Sequence, residues 1–316
     1  MTAAVLDRPG AKLVRFRAMS TDVEVLMVGA DDALARWARG RVEALEQRWS
    51  RFRPDSEISA LNRAGGRPVG VSLETVQAIR AACAAWVFTR GAFDPTVHDS
   101  LLRLGYDDSI DVVRGREPAR ADLSPLPAPG CAGIVLDETE LLVQLPPDVR
   151  LDLGGIGKGL AADDVATGLV ARGALGAFVN IGGDVRVTGS PATSPSWHVQ
   201  LEDPLTAQTA AVVELTDGGV ATSTTLRRRW RSAAGSERHH LLDPQRGAST
   251  PEVGAAIVGA SVVAGTAGWA DALSKVPFVL GRVPAELFEA ASTLVVRSDG
   301  SYATTGPLRF AMGATA

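Results

Sequence analysis

A chain of 316 residues, 46% hydrophobic and 22% charged, has the composition of a globular protein with one large domain or two ordinary ones. A net charge of −4 speaks against a general basic field for nucleic acid. Two cysteines without C-x-x-C spacing give no sign of a zinc site or a disulfide framework, and Cys83, in the apolar run AACAAW, reads as a small core residue.

The N-terminus, MTAAVLDRPGAKLVRFRAMS, has no apolar core of signal-peptide length, so a cytoplasmic location is expected unless a leader was removed. After loose residues 1–11, FRAMSTDVEVLMVG alternates at Val23, Val25 and Met27 and predicts a strand. Residues 31–49 predict a helix opened by Asp31 or Asp32, and a short helical piece follows Ser56. Ser72 caps a helix running to about Thr89, with Gly91 ending it. Residues 107–131, with four prolines, predict an irregular excursion. GIVLDETELLVQLPPDVRLDL predicts a hairpin and a strand end, and residues 157–172 a helix stopped by Gly173. Strands follow at GAFVNIGGDVRVTG, WHVQLEDP, AAVVELTDGGVATS, RHHLLDP and AIVGASVVA. TAGWADALSKVPFVLG predicts one helix and LVVRSDG the last strand. The uncharged run from Val253 to Ala270 reads as a buried strand plus a helix start rather than a membrane span. Strands and helices mix without strict alternation, which predicts an α+β fold.

The stretch LDLGGIGKGLAADD, residues 151–164, raises the chemical question. It matches neither the P-loop nor the dinucleotide fingerprint. A glycine-rich turn that opens a helix nevertheless allows close backbone approach and offers free N–H groups to an anion, with Lys158 as charge partner. Only three of the 32 basic residues are lysines: Lys12, Lys158 and Lys275.

This stretch resembles the ApbE-type FAD:protein FMN transferase family, as do NIGGDVRVTG, AMSTDVEV, SRFRPDSEISALN, GAFDPTV, GVATSTTLRR, HHLLDPQRG and WADALSKVPFVLG. All occur in the family's order between residues 18 and 281. The resemblance implies a single α+β domain over residues 12–312, with mixed or antiparallel sheets, flanking helices and two lobes around an FAD cleft. It implies transfer of FMN from FAD to a Thr or Ser hydroxyl of an acceptor protein, with release of AMP. The alternatives are a non-catalytic FAD-binding protein and an FAD pyrophosphatase.

By the same resemblance, Met19, Thr21, Phe52, Phe93, Asp94, Gly155, Gly157, Lys158, Asp163, Thr222, Ser223 and Asp243 are expected at the nucleotide, and His240 as the base. Asp163 either contacts the adenosine half of FAD or orders the loop. The family's magnesium is held by a backbone carbonyl at the position of Gly157 and by the aspartate and threonine of A-D-A-x-x-T. Here Asp271 is present, but Lys275 stands at the threonine. Either Lys275 replaces the metal, or Mg2+ binds through Asp271 and the Gly157 carbonyl, or the site only binds FAD. Ser274 would point about 100° away on an ideal helix and is not expected to help. In D-P-x-T-G, Arg246 replaces the threonine. Target sites in the family place Thr or Ser before G-A-T. Met312 precedes Gly313-Ala314-Thr315, so self-modification is not expected.

Overall fold

Val23, Val25 and Met27 bury on one face of the strand Thr21–Val28, while Leu26 and Val28 bury on the other. A strand apolar on both faces needs a layer on each. The computed structural model describes residues 10–116, 123–232, 235–251, 254–287, 289, 291–307 and 311–312. The strands β1 (Ala11–Ala18), β2 (Thr21–Val28), β3 (Gly176–Ile181), β4 (Asp184–Gly189), β5 (Gly218–Thr224), β6 (Ile257–Ala264), β7 (Ser292–Arg297) and β8 (Tyr302–Thr305) form an eight-stranded sheet in that order. Every pairing in it is antiparallel. Strand β1 starts at Ala11, paired with Val28, one residue before the expected domain edge.

One face carries the helices α1 (Asp32–Trp49), α2 (Leu73–Phe88), α3 (Gly157–Ala171), α4 (Ala267–Leu273) and α5 (Val276–Leu280). Their apolar sides close the main core around Val42, Leu45, Ile79, Val165 and Leu169. The other face packs on a three-stranded sheet of Trp197–Glu202, Thr209–Leu215 and Ala311–Met312. The expected caps form: Asp31 accepts from the Leu34 amide at 2.9 Å, Ser56 from Ser59 at 3.0 Å and Ser72 from Thr75 at 3.3 Å. Gly91 and Gly173 end their helices with φ of 81° and 103°. No helix among the described residues is long and apolar enough to cross a membrane.

Four sequence expectations change. LVVRSDG is not the last strand, because Tyr302–Thr305 folds back onto it and Ala311–Met312 pairs with Thr209–Leu215. Residues 107–131 are not wholly irregular: Ile110–Gly115 is helical and buries Val113 against Leu101 and Trp230. Residues 117–122 lie outside the described residues, as do 313–315 of the C-terminal G-A-T. RHHLLDP is two short strands, Glu237–His239 and Leu242–Asp243, in different two-stranded sheets. The expected single helix from Ala267 breaks into α4 and α5, with Ser274 as its C-cap and Lys275 as the next N-cap. Pro277 lacks the N–H that a continuous helix would direct at residue 273, and its ring crowds that carbonyl.

Candidate active site

The hairpin turn at 19–20, the turn at 182–183 and the end of β5 all fall on one edge of the sheet, as the pairings Val23 to Ile181 and Val220 to Val185 require. That edge is one wall of an elongated cleft. Gly182 and Gly183 take φ of 62° and 102°, the twist a two-residue hairpin needs. Met19 and Ser20 adopt φ of 52° and 57° without being glycine, and both line the cleft. Arg228, with φ of 48°, does too. Strained non-glycine backbone of this kind persists where the surrounding structure holds it, and it gathers at functional sites.

Glycines decide what meets at the cleft floor. A Cβ on Gly159 of α3 would lie 2.3 Å from the Ala267 carbonyl oxygen. One on Gly219 of β5 would lie 2.1 Å from the Ala267 amide nitrogen, and one on Gly268 would meet Leu160 at 2.6 Å. Without these methyls α3, α4 and β5 touch at backbone distance. Lys158 from α3, Asp271 and Ser274 from α4, and Ser223 from β5 therefore share one place. Gly155 carries no positive φ; its missing Cβ leaves room for Phe93, which would otherwise be 3.1 Å away, and for Lys275, at 3.6 Å.

The result is a buried cluster of two cations and two anions. Lys158 pairs with Asp184 and faces Asp271 Oδ2 at 3.8 Å. Lys275 pairs with Asp271 Oδ1 and donates to the Asp271 backbone oxygen at 2.6 Å and to Ser274 Oγ at 3.3 Å. The second amide of α3 beyond its start, Gly159 N, donates to Asp271 Oδ2 at 3.4 Å. Ser274, expected to point away, joins the cluster as the C-cap of α4. Its Oγ donates to Asp271 O at 2.7 Å and meets Ser223 Oγ at 2.7 Å. Burial resists ionisation of Asp271, yet Lys158 and Lys275 together hold its carboxyl below the usual range. Burial and the charge of Asp271 push Asp184 up. Burial alone would lower Lys158, but Asp184 and Asp271 raise it. For Lys275 burial prevails over the same two carboxylates, and the ammonium is lowered.

His240 lines the cleft, and its Nδ1 is buried without a hydrogen-bond partner. Burial, then the positive charge of Arg228, the neighbouring His239, Lys275 and Lys158 hold it well below the usual histidine range, so it is a neutral base. His239 faces the other way and meets the Thr250 carbonyl at 3.2 Å, as an incidental neighbour should.

Also lining the cleft, Arg51 lies over the rings of Phe52 and Tyr106, at 4.2 and 4.8 Å, and pairs with Asp152 at 2.9 Å. Tyr106 stacks on Trp230 at 5.0 Å. Phe52 is thus both cleft wall and part of a small core. Asp94 lines the cleft while accepting from the amide and hydroxyl of Thr96 at 2.8 and 2.6 Å, a turn inside the FDPTV run. Burial raises its carboxyl.

Of the residues expected from sequence, Met19, Phe52, Phe93, Asp94, Gly155, Gly157, Lys158, Thr222, Ser223, His240, Asp271 and Lys275 line this one cleft. Three do not. Asp163 faces α4, where its two oxygens accept from the amides of Ala267 and Gly268 at 2.8 Å each, and it pairs with Arg186 at 3.2 Å. It caps the neighbouring helix α4. Thr21 sits behind the turn, against Gly182. Asp243 is occupied by the Gln245 amide at 2.9 Å and by Arg246 at 3.3 Å, which leaves Arg246 an exposed surface residue. Sequence reasoning missed Asp184, Arg51, Tyr106 and Arg228. Asp184 follows the Gly182-Gly183 turn directly, and that turn was its only local signal. Among the described residues Arg228 forms no ion pair, while both cleft lysines are paired.

Magnesium wants about six oxygen ligands in near-ideal octahedral geometry. Asp271 Oδ1, Asp271 O and Ser274 Oγ already receive the Lys275 ammonium, Asp271 Oδ2 receives the Gly159 amide, and Asp184 receives Lys158. No group of three or more His, Cys, Asp or Glu suited to a metal occurs among the described residues. This donor set does not fit a divalent cation.

The profile of the ApbE family matches residues 19–295. The chain belongs to the ApbE family. A relative named FAD:protein FMN transferase from Klebsiella pneumoniae is 32% identical over 240 residues, covering 72% of this chain and 71% of that one. One of the same name from Haemophilus influenzae is 28% identical over 305 residues, covering 91% and 86%. Among solved structures, the ApbE protein of Thermotoga maritima superposes with a TM-score of 0.79 at 27% identity, covering 93% of this chain and 96% of that one. The flavin transferase ApbE of Vibrio cholerae, at 24% identity and a TM-score of 0.73, shares the fold, with the same coverage of 93% and 96%. The antiparallel α+β architecture is thus that of ApbE proteins.

Proposed function

We propose that this chain is an FAD:protein FMN transferase, moving FMN from FAD to a Thr or Ser hydroxyl of an acceptor protein and releasing AMP. The observation that carries the reading is the neutral imidazole of His240, its Nδ1 buried and without a hydrogen-bond partner, sharing one cleft with the Arg228 guanidinium, which among the described residues forms no ion pair. The relatives' names supply the reaction class. We take residues 12–312 as one catalytic unit, because the cleft walls come from residues as far apart as Met19 and Val279.

The chemistry follows from the two kinds of lining the cleft offers, aromatic and charged. Met19, Phe52, Phe93 and Tyr106 offer apolar and aromatic surface for a flavin. Arg228 meets the diphosphate with a planar fork of donors suited to phosphate oxygens. His240 takes the proton of the acceptor hydroxyl as that oxygen attacks the FMN-side phosphorus. A new P–O bond forms to the FMN phosphorus, the bond from that phosphorus to the bridging oxygen breaks, and AMP leaves with the bridging oxygen. Charge building on the phosphoryl oxygens faces Arg228 across a low-dielectric floor.

Incubation with FAD and a threonine-bearing acceptor domain, read by intact mass, tests this. The acceptor gains one FMN and AMP appears in equal amount. FMN and AMP without acceptor labelling would favour the pyrophosphatase, and intact FAD throughout would favour the binder. Arg228→Ala should weaken FAD binding about ten- to a hundred-fold, the worth of one lost charge-assisted contact of about 1.5–3 kcal/mol. Quenching of flavin fluorescence on titration measures it, and an unchanged affinity would remove Arg228 from the diphosphate.

A further inference from the structure

We infer that Lys275 is the resident cation of this site, and that FMN transfer by this chain needs no divalent metal. The inference rests on the transferase reading and adds to it which cation the chain uses.

Asp271 is fully buried, so its carboxylate must be paired. Both of its oxygens are engaged by the chain itself: Oδ1 by Lys275, Oδ2 by the Gly159 amide at 3.4 Å and Lys158 at 3.8 Å. An ammonium has three donors and no acceptor. That of Lys275 finds three oxygens, Asp271 Oδ1, Asp271 O and Ser274 Oγ, from one turn of chain. This is the tripod of hard oxygen donors that a small cation would want, closed by a covalently tethered one.

The local structure explains why the tripod exists. Ser274, the C-cap of α4, donates its hydroxyl back to Asp271 O, and Lys275, four residues after Asp271, reaches over the same turn. Ser223 Oγ, at 2.7 Å, fixes the serine from β5. The choice of residue agrees. Arginine supplies nearly all of the chain's 32 basic residues, yet both cations of this cluster are lysines. A planar fork cannot enter a three-oxygen seat, whereas a compact ammonium can. The two ammoniums and two carboxylates of the chain already balance, so a divalent ion would stand against Lys158 and Lys275 with no carboxylate of the cluster left to meet it.

The test has two independent readouts. First, transfer to the acceptor is timed with EDTA and with Mg2+. Rates agreeing within about two-fold support the inference. Labelling that requires Mg2+ overturns it while leaving the transferase reading intact, and no labelling in either condition counts against the transferase reading instead. Second, Mn2+ binding to the FAD-loaded protein is followed by electron paramagnetic resonance, against free FAD as background. The wild type should bind no more than the background. Lys275→Thr, which puts an oxygen donor where the ammonium was, should gain one Mn2+ with affinity raised at least about tenfold. A wild-type protein that binds one Mn2+ overturns the inference whether or not the variant folds or transfer is seen. A folded Lys275→Thr that gains none overturns it too.

Discussion

Replacing His240 by alanine is expected to slow FMN transfer about 10²- to 10⁴-fold, the usual contribution of a positioned general base, while FAD affinity stays within a few-fold. The reason is the division of labour in the cleft. In the proposed reaction Arg228 and the aromatic side chains meet the nucleotide, whereas the imidazole, with Nδ1 buried and unpartnered, is available to the incoming hydroxyl. Single-turnover transfer and fluorescence titration separate the two effects. A loss of binding that matched the loss of rate would make His240 a nucleotide contact instead.

The same histidine sets a pH signature. Burial and then Arg228, His239, Lys275 and Lys158 depress it, so in the free enzyme it stays unprotonated well below pH 6.5. A base is lost as pH falls through its pKa. The acid limb of kcat/KM for FAD therefore lies below 6.5. Bound diphosphate favours the imidazolium, so the limb of kcat lies at higher pH than that of kcat/KM. Initial rates across about pH 5–8 measure both. A kcat/KM limb at or above 6.5 would contradict the assignment.

The second large effect is on stability. Asp271→Asn should destabilise the protein by up to about 3–5 kcal/mol, because it leaves two partly buried ammoniums facing one carboxylate, that of Asp184. Removing a whole pair is the milder change. Asp271→Asn with Lys275→Met should recover part of the loss, since a buried ion pair and its apolar replacement are often nearly equivalent. Urea unfolding of the two single variants and the double variant closes the cycle. A double variant as unstable as the sum of the singles would mean that Asp271 and Lys275 do not act as a pair.

Local rules carried far into this fold. Alternation at Val23, Val25 and Met27, caps at Asp31, Ser56 and Ser72, and stops at Gly91 and Gly173 are short-range features, and the chain obeys them. What failed locally was the helix through Lys275, where the apolar run outweighed the signal of Pro277. The site was legible by resemblance at most positions, but the partners of its charges were not. Nothing around Lys158 announces Asp184, because 26 residues separate them and only the hairpin of β3 and β4 brings them together. Lys158 is expected at the phosphate, and within the chain it also faces two carboxylates, whereas Arg228, in the run LRRR, forms no ion pair among the described residues. Asp163 was expected near the nucleotide or the loop, and only the packing of α3 on α4 shows which helix end it holds.

A crystal of the FAD complex would locate the two phosphorus atoms directly. They should lie within hydrogen-bonding reach of the Arg228 guanidinium, between Gly155 and His240, with the ammonium of Lys275 still seated on Asp271 and no metal density beside it. Phosphates bound away from Arg228 and His240, or a divalent ion displacing Lys275 from Asp271, would contradict this picture.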